Sequence, residues 1–121
     1  MPILEIELVG EPSGGSRAVT AQRLADAVAA VFDAPPGSVW VRLRVLPEQD
    51  YAENGGAEPG LRPVFVRLLG RTLPEEGLRR QEARIVTAAV ARACDRATEN
   101  VHVLYEPAGS GRQAFGGELV D

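Results

Sequence analysis

No lysine occurs in this 121-residue chain: all 13 basic side chains are arginine, so no side chain carries an amine. That excludes the Schiff-base lysine of pyridoxal enzymes, the lysine of a phosphate-binding P-loop and a Ser–Lys nucleophile pair. One cysteine, Cys94, and one histidine, His102, cannot make a Cys/His zinc site, a CxxC pair or a disulfide. No metal is expected, and the lack of a disulfide is compatible with a reducing, cytoplasmic location. Residues Met1 to Gly15 lack the basic stretch and apolar run of a signal peptide, and no window approaches a membrane span. Basic residues are also outnumbered. With 17 acidic side chains, a net charge of −4 and no basic cluster denser than Arg79-Arg80, neither nucleic acid nor a membrane is an expected partner.

What remains describes one globular domain over residues 1–121, with 45% hydrophobic and 25% charged residues. It repeats internally, as pseudo-repeats 1–58 and 59–121. Leu24, Ala27, Val28 and Val31 follow the spacing of a helix face, and Val86, Ala89, Val90 and Ala93 repeat it 62 positions later. The same offset matches Asp33 with Asp95 and Val39-Trp40-Val41 with Val101-His102-Val103. Gly55-Gly56 and Gly116-Gly117 close the two halves.

A strand-like run precedes each helix, Ile3 to Leu8 in the first half and Val64 to Leu69 in the second. Helix one is expected from about Arg17 to Phe32, with Ser16 as N-cap and Pro35-Pro36 preventing its continuation. Helix two is expected from Pro74 in its first turn to about Arg96, with Glu75 and Glu76 complementing the helix dipole. The fold class is therefore α+β: two tandem βαβ units with right-handed crossovers, forming a four-stranded sheet with both helices on one face. Pro47 to Gly60 connects the halves.

Such a layer covers one side of its sheet. Alternation points Val39, Val41, Leu43 and Val45 toward the helices and Trp40, Arg42 and Arg44 away. On the last strand Val101, Val103 and Tyr105 face in, while His102, Leu104 and Glu106 face out. An open face carrying Trp40, Phe65 and Leu104 among arginines reads as an oligomer interface with a polar pocket.

Pro2 follows the initiator directly. Removal of Met1 would leave a secondary amine at the start of a buried strand. Burial and neighbouring arginine charge both pull an α-amino pKa down from its reference near 8, making the group a general base at cellular pH. The bland alternative is a proline that starts a strand where no ladder donor is needed.

Proline-first, a βαβ unit of this length and a terminal Gly-Gly hairpin occur together, and here the sequence resembles the tautomerase superfamily. Glu99-Asn100-Val101-His102-Val103-Leu104-Tyr105-Glu106, with Phe115-Gly116-Gly117-Glu118-Leu119, is similar to the end of 4-oxalocrotonate tautomerase. Two units in one chain look like the fused, double-length members. The resemblance implies a tautomerase/macrophage migration inhibitory factor-like fold, no cofactor, a homotrimer, and catalysis by Pro2 alone, since Pro63 in the second half has no free amine. It also implies an arginine after the first strand, a Gly-Arg pair that this chain has as Gly70-Arg71. Arg71 is thus the first choice for a substrate carboxylate, which a guanidinium grips through a two-pronged fork. The family's second arginine position holds Trp40 and His102 here, so Arg42, and after it Arg44, are the substitutes.

His102 is a candidate general acid or carbonyl hydrogen-bond donor, or else an interface histidine. Tyr51, Glu53 and Asn54 are candidates to polarise a substrate oxygen or activate water, or form an ordinary hairpin turn. Phe115 is a candidate apolar wall. Cys94 reads as core. Arg79, Arg80, Arg84 and Arg92 read as solvated helix charges. Gly109-Ser110-Gly111-Arg112-Gln113-Ala114 fits a GxGxxA fingerprint, but too little chain remains for the helix that motif requires.

The expected function is a cofactor-independent tautomerase or isomerase of a small enol or 2-oxo carboxylate, with Pro2 as base. A hydratase, dehalogenase or decarboxylase of a three-carbon acid would use Pro2 as acid instead. A ferredoxin-like binding module without catalysis shares the element order and is the alternative of another class.

Overall fold

A computed structural model describes residues 2–12 and 19–121. The main sheet has β1 (Ile3–Val9), β2 (Trp40–Leu46), β3 (Val64–Leu69) and β4 (Val101–Tyr105), in the order β2-β1-β3-β4. Within each half the strands are parallel, β1 with β2 and β3 with β4. The halves join through the antiparallel pair β1–β3, which centres Ile6 on Val66. Helices α1 (Ala21–Phe32) and α2 (Glu76–Cys94) pack on one face, as the two βαβ units require. A short hairpin, β5 (Ala114–Phe115) and β6 (Glu118–Leu119), ends the described chain.

Alternation builds the core directly. Leu4, Ile6 and Leu8 of β1 and Val64, Val66 and Leu68 of β3 are buried against Leu24 and Val28 of α1 and Val86, Val90 and Cys94 of α2. Each fully buried aliphatic side chain stabilises the fold by about 1.5–3 kcal/mol relative to an exposed one. Among the described residues, no helix is long and apolar enough to cross a membrane.

Helix ends depart from the sequence expectation in three places. First, α1 opens at Ala21, because the Thr20 hydroxyl accepts the Arg23 N–H at 3.0 Å and so caps it; Ser16 and Arg17 lie outside the described residues. Second, α2 opens at Glu76, because the Glu75 carboxylate accepts the Leu78 N–H at 2.7 Å, leaving Pro74 just ahead of the cap. Third, α2 stops at Cys94, short of Arg96. Both helices end on an aspartate in the left-handed region, Asp33 at φ 47° and Asp95 at φ 54°. The next residue then bonds back across the turn, Ala34 to the Ala29 carbonyl and Arg96 to that of Ala91, each at 2.9 Å. This is the turn usually made by glycine.

Val45 also differs from expectation. Val41 and Leu43 pack against the core, whereas Val45 is 39% exposed. It lies near the end of an edge strand, beside the end of the sheet where α1 opens four residues later than expected.

Candidate active site

Strand register arranges the side chains of the open face in transverse rows. At the Pro2 end the row is Trp40, Ile3 and Leu69. Next come Arg42, Glu5, Arg67 and Leu104, and then Arg44, Glu7, Phe65 and His102. The first and third rows are four residues apart along β1, about 13 Å.

Pro2 is half-buried, and its carbonyl accepts the Trp40 N–H at 3.1 Å. The C-terminal segment is tied to this end of the sheet by two backbone bonds, Gly109 N–H to the Gly70 carbonyl at 2.8 Å and Ser110 N–H to that of Arg71 at 3.0 Å. Phe115 meets Trp40 edge to face, with ring centroids 5.1 Å apart, while the indole N–H donates to the Gly37 carbonyl at 2.9 Å. Gly109 is closely packed: a Cβ there would lie 2.5 Å from the Gln113 side-chain oxygen, which would have to move, and 3.3 Å from the Gly70 carbonyl oxygen.

Between the hairpin and the first two rows lies a cavity of about 300 Å³. Ile3, Leu69 and Gly109 form part of its wall; Glu5, Arg42, Arg67, Glu106, Arg112 and Gln113 supply its polar groups. Two ion pairs organise it, Arg42 to Glu5 at 2.8 Å and Arg67 to Glu106, with the Arg67 Nε 2.7 Å from the carboxylate. Both are largely exposed, so they fix side-chain positions more than they stabilise the fold. Sequence reasoning did not single out Arg67 or Arg112. Arg67 was legible from the alternation Phe65-Arg67-Leu69, and Arg112 only from the hairpin that the Gly-rich segment turned out to form.

A second, larger cavity of about 900 Å³ extends over the second and third rows, where Arg44, Phe65 and His102 line it along with Arg42. Phe65 packs against His102 at 5.6 Å and against Tyr51 at 5.8 Å. The Tyr51 hydroxyl donates to Glu53 at 2.5 Å, and that bond, more than burial, raises its pKa above the ordinary phenolic value. Asn54 is exposed in a turn closed by the Gly56 N–H on the Glu53 carbonyl, without the paired strands expected of a hairpin.

The nominated residues therefore divide between the two ends of the sheet. Arg42 and Phe115 lie with Pro2, the latter through Trp40. Arg44, His102 and Tyr51 belong to the other end, because β2 runs parallel to β1 and carries the chain away from Pro2 before Tyr51. Asn54 follows three residues beyond. Arg71 follows β3 at the Pro2 end but lines neither cavity: its Nε donates to the backbone oxygen of Asp121 at 2.9 Å.

The two ends are not equivalent. Opposite Pro2, Arg96 fills the gap between the halves, donating to the carbonyls of Arg62 at 2.7 Å, Val9 at 3.1 Å and Gly10 at 3.4 Å. Its counterpart under the 62-residue offset is Ala34, so that position brings no guanidinium to the Pro2 end. Pro63 is fully buried, and its carbonyl accepts the Val9 N–H at 3.0 Å.

No protein-family model matches this sequence, and no curated protein matches it. Solved structures do. A fused 4-OT, solved as a wild-type symmetric trimer, superposes with a TM-score of 0.74 at 17% identity, over 98% of this chain and 94% of that one. The macrophage migration inhibitory factor of Trichinella spiralis gives 0.69 at 12% identity, over 97% and 98%. FG41 malonate semialdehyde decarboxylase, solved inhibited by 3-bromopropiolate, gives 0.68 at 15% identity, over 94% and 88%. At these identities the likeness is one of fold, and the fold is the tautomerase and macrophage migration inhibitory factor β-α-β fold in the double-length form of the fused 4-OT structures.

Proposed function

We propose that this protein is a cofactor-independent tautomerase or isomerase acting on a small enol or 2-oxo carboxylate, with Pro2, freed by removal of Met1, as general base. The observation that carries the reading is the arginine-lined cavity beside the start of β1. Pro2 itself does not line that cavity, but the next residue, Ile3, does, so a secondary amine there would sit half-buried at its margin. Burial favours its neutral form near pH 7.

The Pro2 nitrogen would take the hydroxyl proton of the enol as the carbon–oxygen double bond forms. The prolinium then returns that proton to the α-carbon, giving the keto acid and restoring the base. Arg42 would offset charge gathering on the oxygen. A homotrimer, as in the fused 4-OT structure, would cover the apolar side chains Trp40 and Leu104, which are 44% and 55% exposed in the protomer. The cytoplasm suits a protein whose one cysteine is a buried free thiol.

The decarboxylase among the similar structures keeps the acid role of Pro2 as the second reading. It fits less well, since both carboxylates lining the cavity are held by arginines and Glu53 lies at the far end. The charge state discriminates: an N-terminal pKa near or below about 7 favours the base, and one well above about 8 favours the acid. The decisive experiment starts with intact mass to establish that Met1 is gone, then compares ketonisation of phenylenolpyruvate by the wild type and Pro2→Ala. Loss of about 10²–10⁴-fold is expected of a missing general base. Retained Met1 on active protein, or unchanged activity in Pro2→Ala, refutes the reading.

A further inference from the structure

We infer that Arg112, on the C-terminal hairpin, is the substrate-carboxylate ligand of the Pro2-end cavity and selects acids that carry a single carboxylate. This inference rests on the proposed function for its substrate class, but the binding site it describes stands on charge and geometry.

Charge inside the cavity decides the point. Three guanidiniums and two carboxylates line it. Arg42 is engaged by Glu5 at 2.8 Å and Arg67 by Glu106 at 2.7 Å. Among the described residues Arg112 has no such acidic partner; its side chain donates to the carbonyl of Ala108, at 3.3 Å. One positive charge is thus left over, and it belongs to Arg112. An entering carboxylate meets that charge without first displacing a glutamate. A second carboxylate would have to break an existing ion pair and leave a glutamate facing an anion.

The backbone holds Arg112 in place for this role. Its own N–H donates to the Gly109 carbonyl at 2.8 Å, the Gly111 N–H to the Val120 carbonyl at 2.6 Å, and the Val120 N–H to the Gln113 carbonyl at 2.7 Å. Gly109 in turn is tied to Gly70, the residue that follows β3. The hairpin that carries the guanidinium is therefore fixed to the sheet rather than free, and the long side chain has the freedom to turn its fork onto a ligand. Ile3 and Leu69 supply an apolar floor beside it. A small acid with an apolar or enolic body fits this division into charged rim and apolar floor.

The test is titration calorimetry on the full chain with 3-phenylpropionate, its neutral amide 3-phenylpropionamide, and the dicarboxylate phenylsuccinate. For the wild type, the monocarboxylate should bind more tightly than the amide and at least as tightly as the dicarboxylate. In Arg112→Gln the affinity for 3-phenylpropionate relative to the amide should fall about 10- to 100-fold, the size of a charge-assisted hydrogen bond. Arg112→Lys should recover part of it. Equal losses for acid and amide would mean that Arg112 only props the hairpin. That result, an unchanged ratio, a clear preference for phenylsuccinate, or no measurable binding of 3-phenylpropionate would each overturn the inference. The two readings fail separately. Arg112-dependent binding with Pro2→Ala fully active would sink the general base alone, whereas loss of activity in Pro2→Ala with Arg112-independent binding would sink the carboxylate site alone.

Discussion

Replacing Arg96 by methionine keeps the aliphatic length of the side chain and removes every donor it brings to the gap between the halves. Three carbonyls lose a partner: Arg62, Val9 and Gly10, at 2.7, 3.1 and 3.4 Å. A hydrogen bond from a charged donor contributes about 1.5–3 kcal/mol where water is excluded, and leaving a buried acceptor unmade costs a similar amount. Arg96 is half-buried, so water will reach some of the vacated acceptors, and the long contact to Gly10 adds little. Counting the two short bonds at about half strength gives a loss of about 1.5–3 kcal/mol. For a domain of this size that is a fall in Tm of about 6–12 °C. Burial lowers the guanidinium pKa, but an arginine keeps its charge at neutral pH, so the loss should not vary between pH 6 and 8. Urea unfolding followed by helical circular dichroism, at one fixed protein concentration, would measure it. Arg96→Lys should lie between the two, because an ammonium cannot span three carbonyls as a planar fork does. A loss below about 0.5 kcal/mol in Arg96→Met would show that water replaces these bonds at no cost, and would refute the claim that Arg96 joins the two halves.

Other positions give sharper signs than magnitudes. Burial pushes the Cys94 thiol up to about 11, so native protein at pH 8 should react with iodoacetamide at least about 100-fold more slowly than the urea-unfolded chain. Since unfolding lowers that pKa, stability should also decline as pH rises from about 9 toward 11; between pH 9 and 10, below the tyrosine range, a shallower slope in Cys94→Ala than in the wild type would locate the effect. Asp33→Gly and Asp95→Gly, at φ 47° and 54°, should each stabilise by up to about 1 kcal/mol, read as a rise in urea midpoint. A lower midpoint in both would mean that the carboxylates offset the strain. Tyr105 donates to Glu82 at 2.9 Å, and burial first, then that bond, raises its pKa. Tyr105→Phe should cost about 1 kcal/mol at pH 7. In the wild type, stability should fall above pH 10, where the unfolded tyrosine ionises and the folded one does not; ultraviolet titration of the phenolate checks this.

Period and repeat were enough to read the sheet and both helices. Inward alternation of Leu4-Ile6-Leu8 and Val64-Val66-Leu68 needs no tertiary information, and the 62-residue offset already pairs Asp33 with Asp95, the two left-handed helix ends. Caps were less legible. Thr20 and Ser16 are chemically equivalent choices, and only the position of the backbone decides that Thr20 meets the Arg23 N–H. The candidate site was legible in kind, an arginine-lined pocket at the Pro2 end, but only partly in its members. Arg71 satisfies the Gly-Arg pattern, yet its guanidinium turns to the backbone of Asp121, fifty residues away. Arg112 satisfies no pattern and lines the cavity because a hairpin brings it there. Contacts of that range have no local signature.

Duplication explains why one end of the sheet could become a site while the other became a joint. Two copies of a βαβ unit, related by a pseudo-twofold axis through the β1–β3 pair, place two equivalent gaps at the ends of that pair. Sequence then differs at corresponding positions. At one gap Arg96 occupies the space with three backbone contacts, and the buried Pro63 carries an amide rather than an amine. At the other, the corresponding residue is Ala34, Pro2 precedes the strand, and the C-terminal hairpin delivers Phe115 onto Trp40 and Arg112 toward the cavity. An amine can exist only where a chain begins, so a fused chain can complete at most one of its two gaps for proline chemistry. Filling the second gap with a structural arginine sacrifices no amine chemistry and adds hydrogen bonds between the halves. The chain that lacks every lysine thus uses its arginines for two distinct tasks: Arg96 closes the end where no amine can arise, and Arg42, Arg67 and Arg112 line the end where one can.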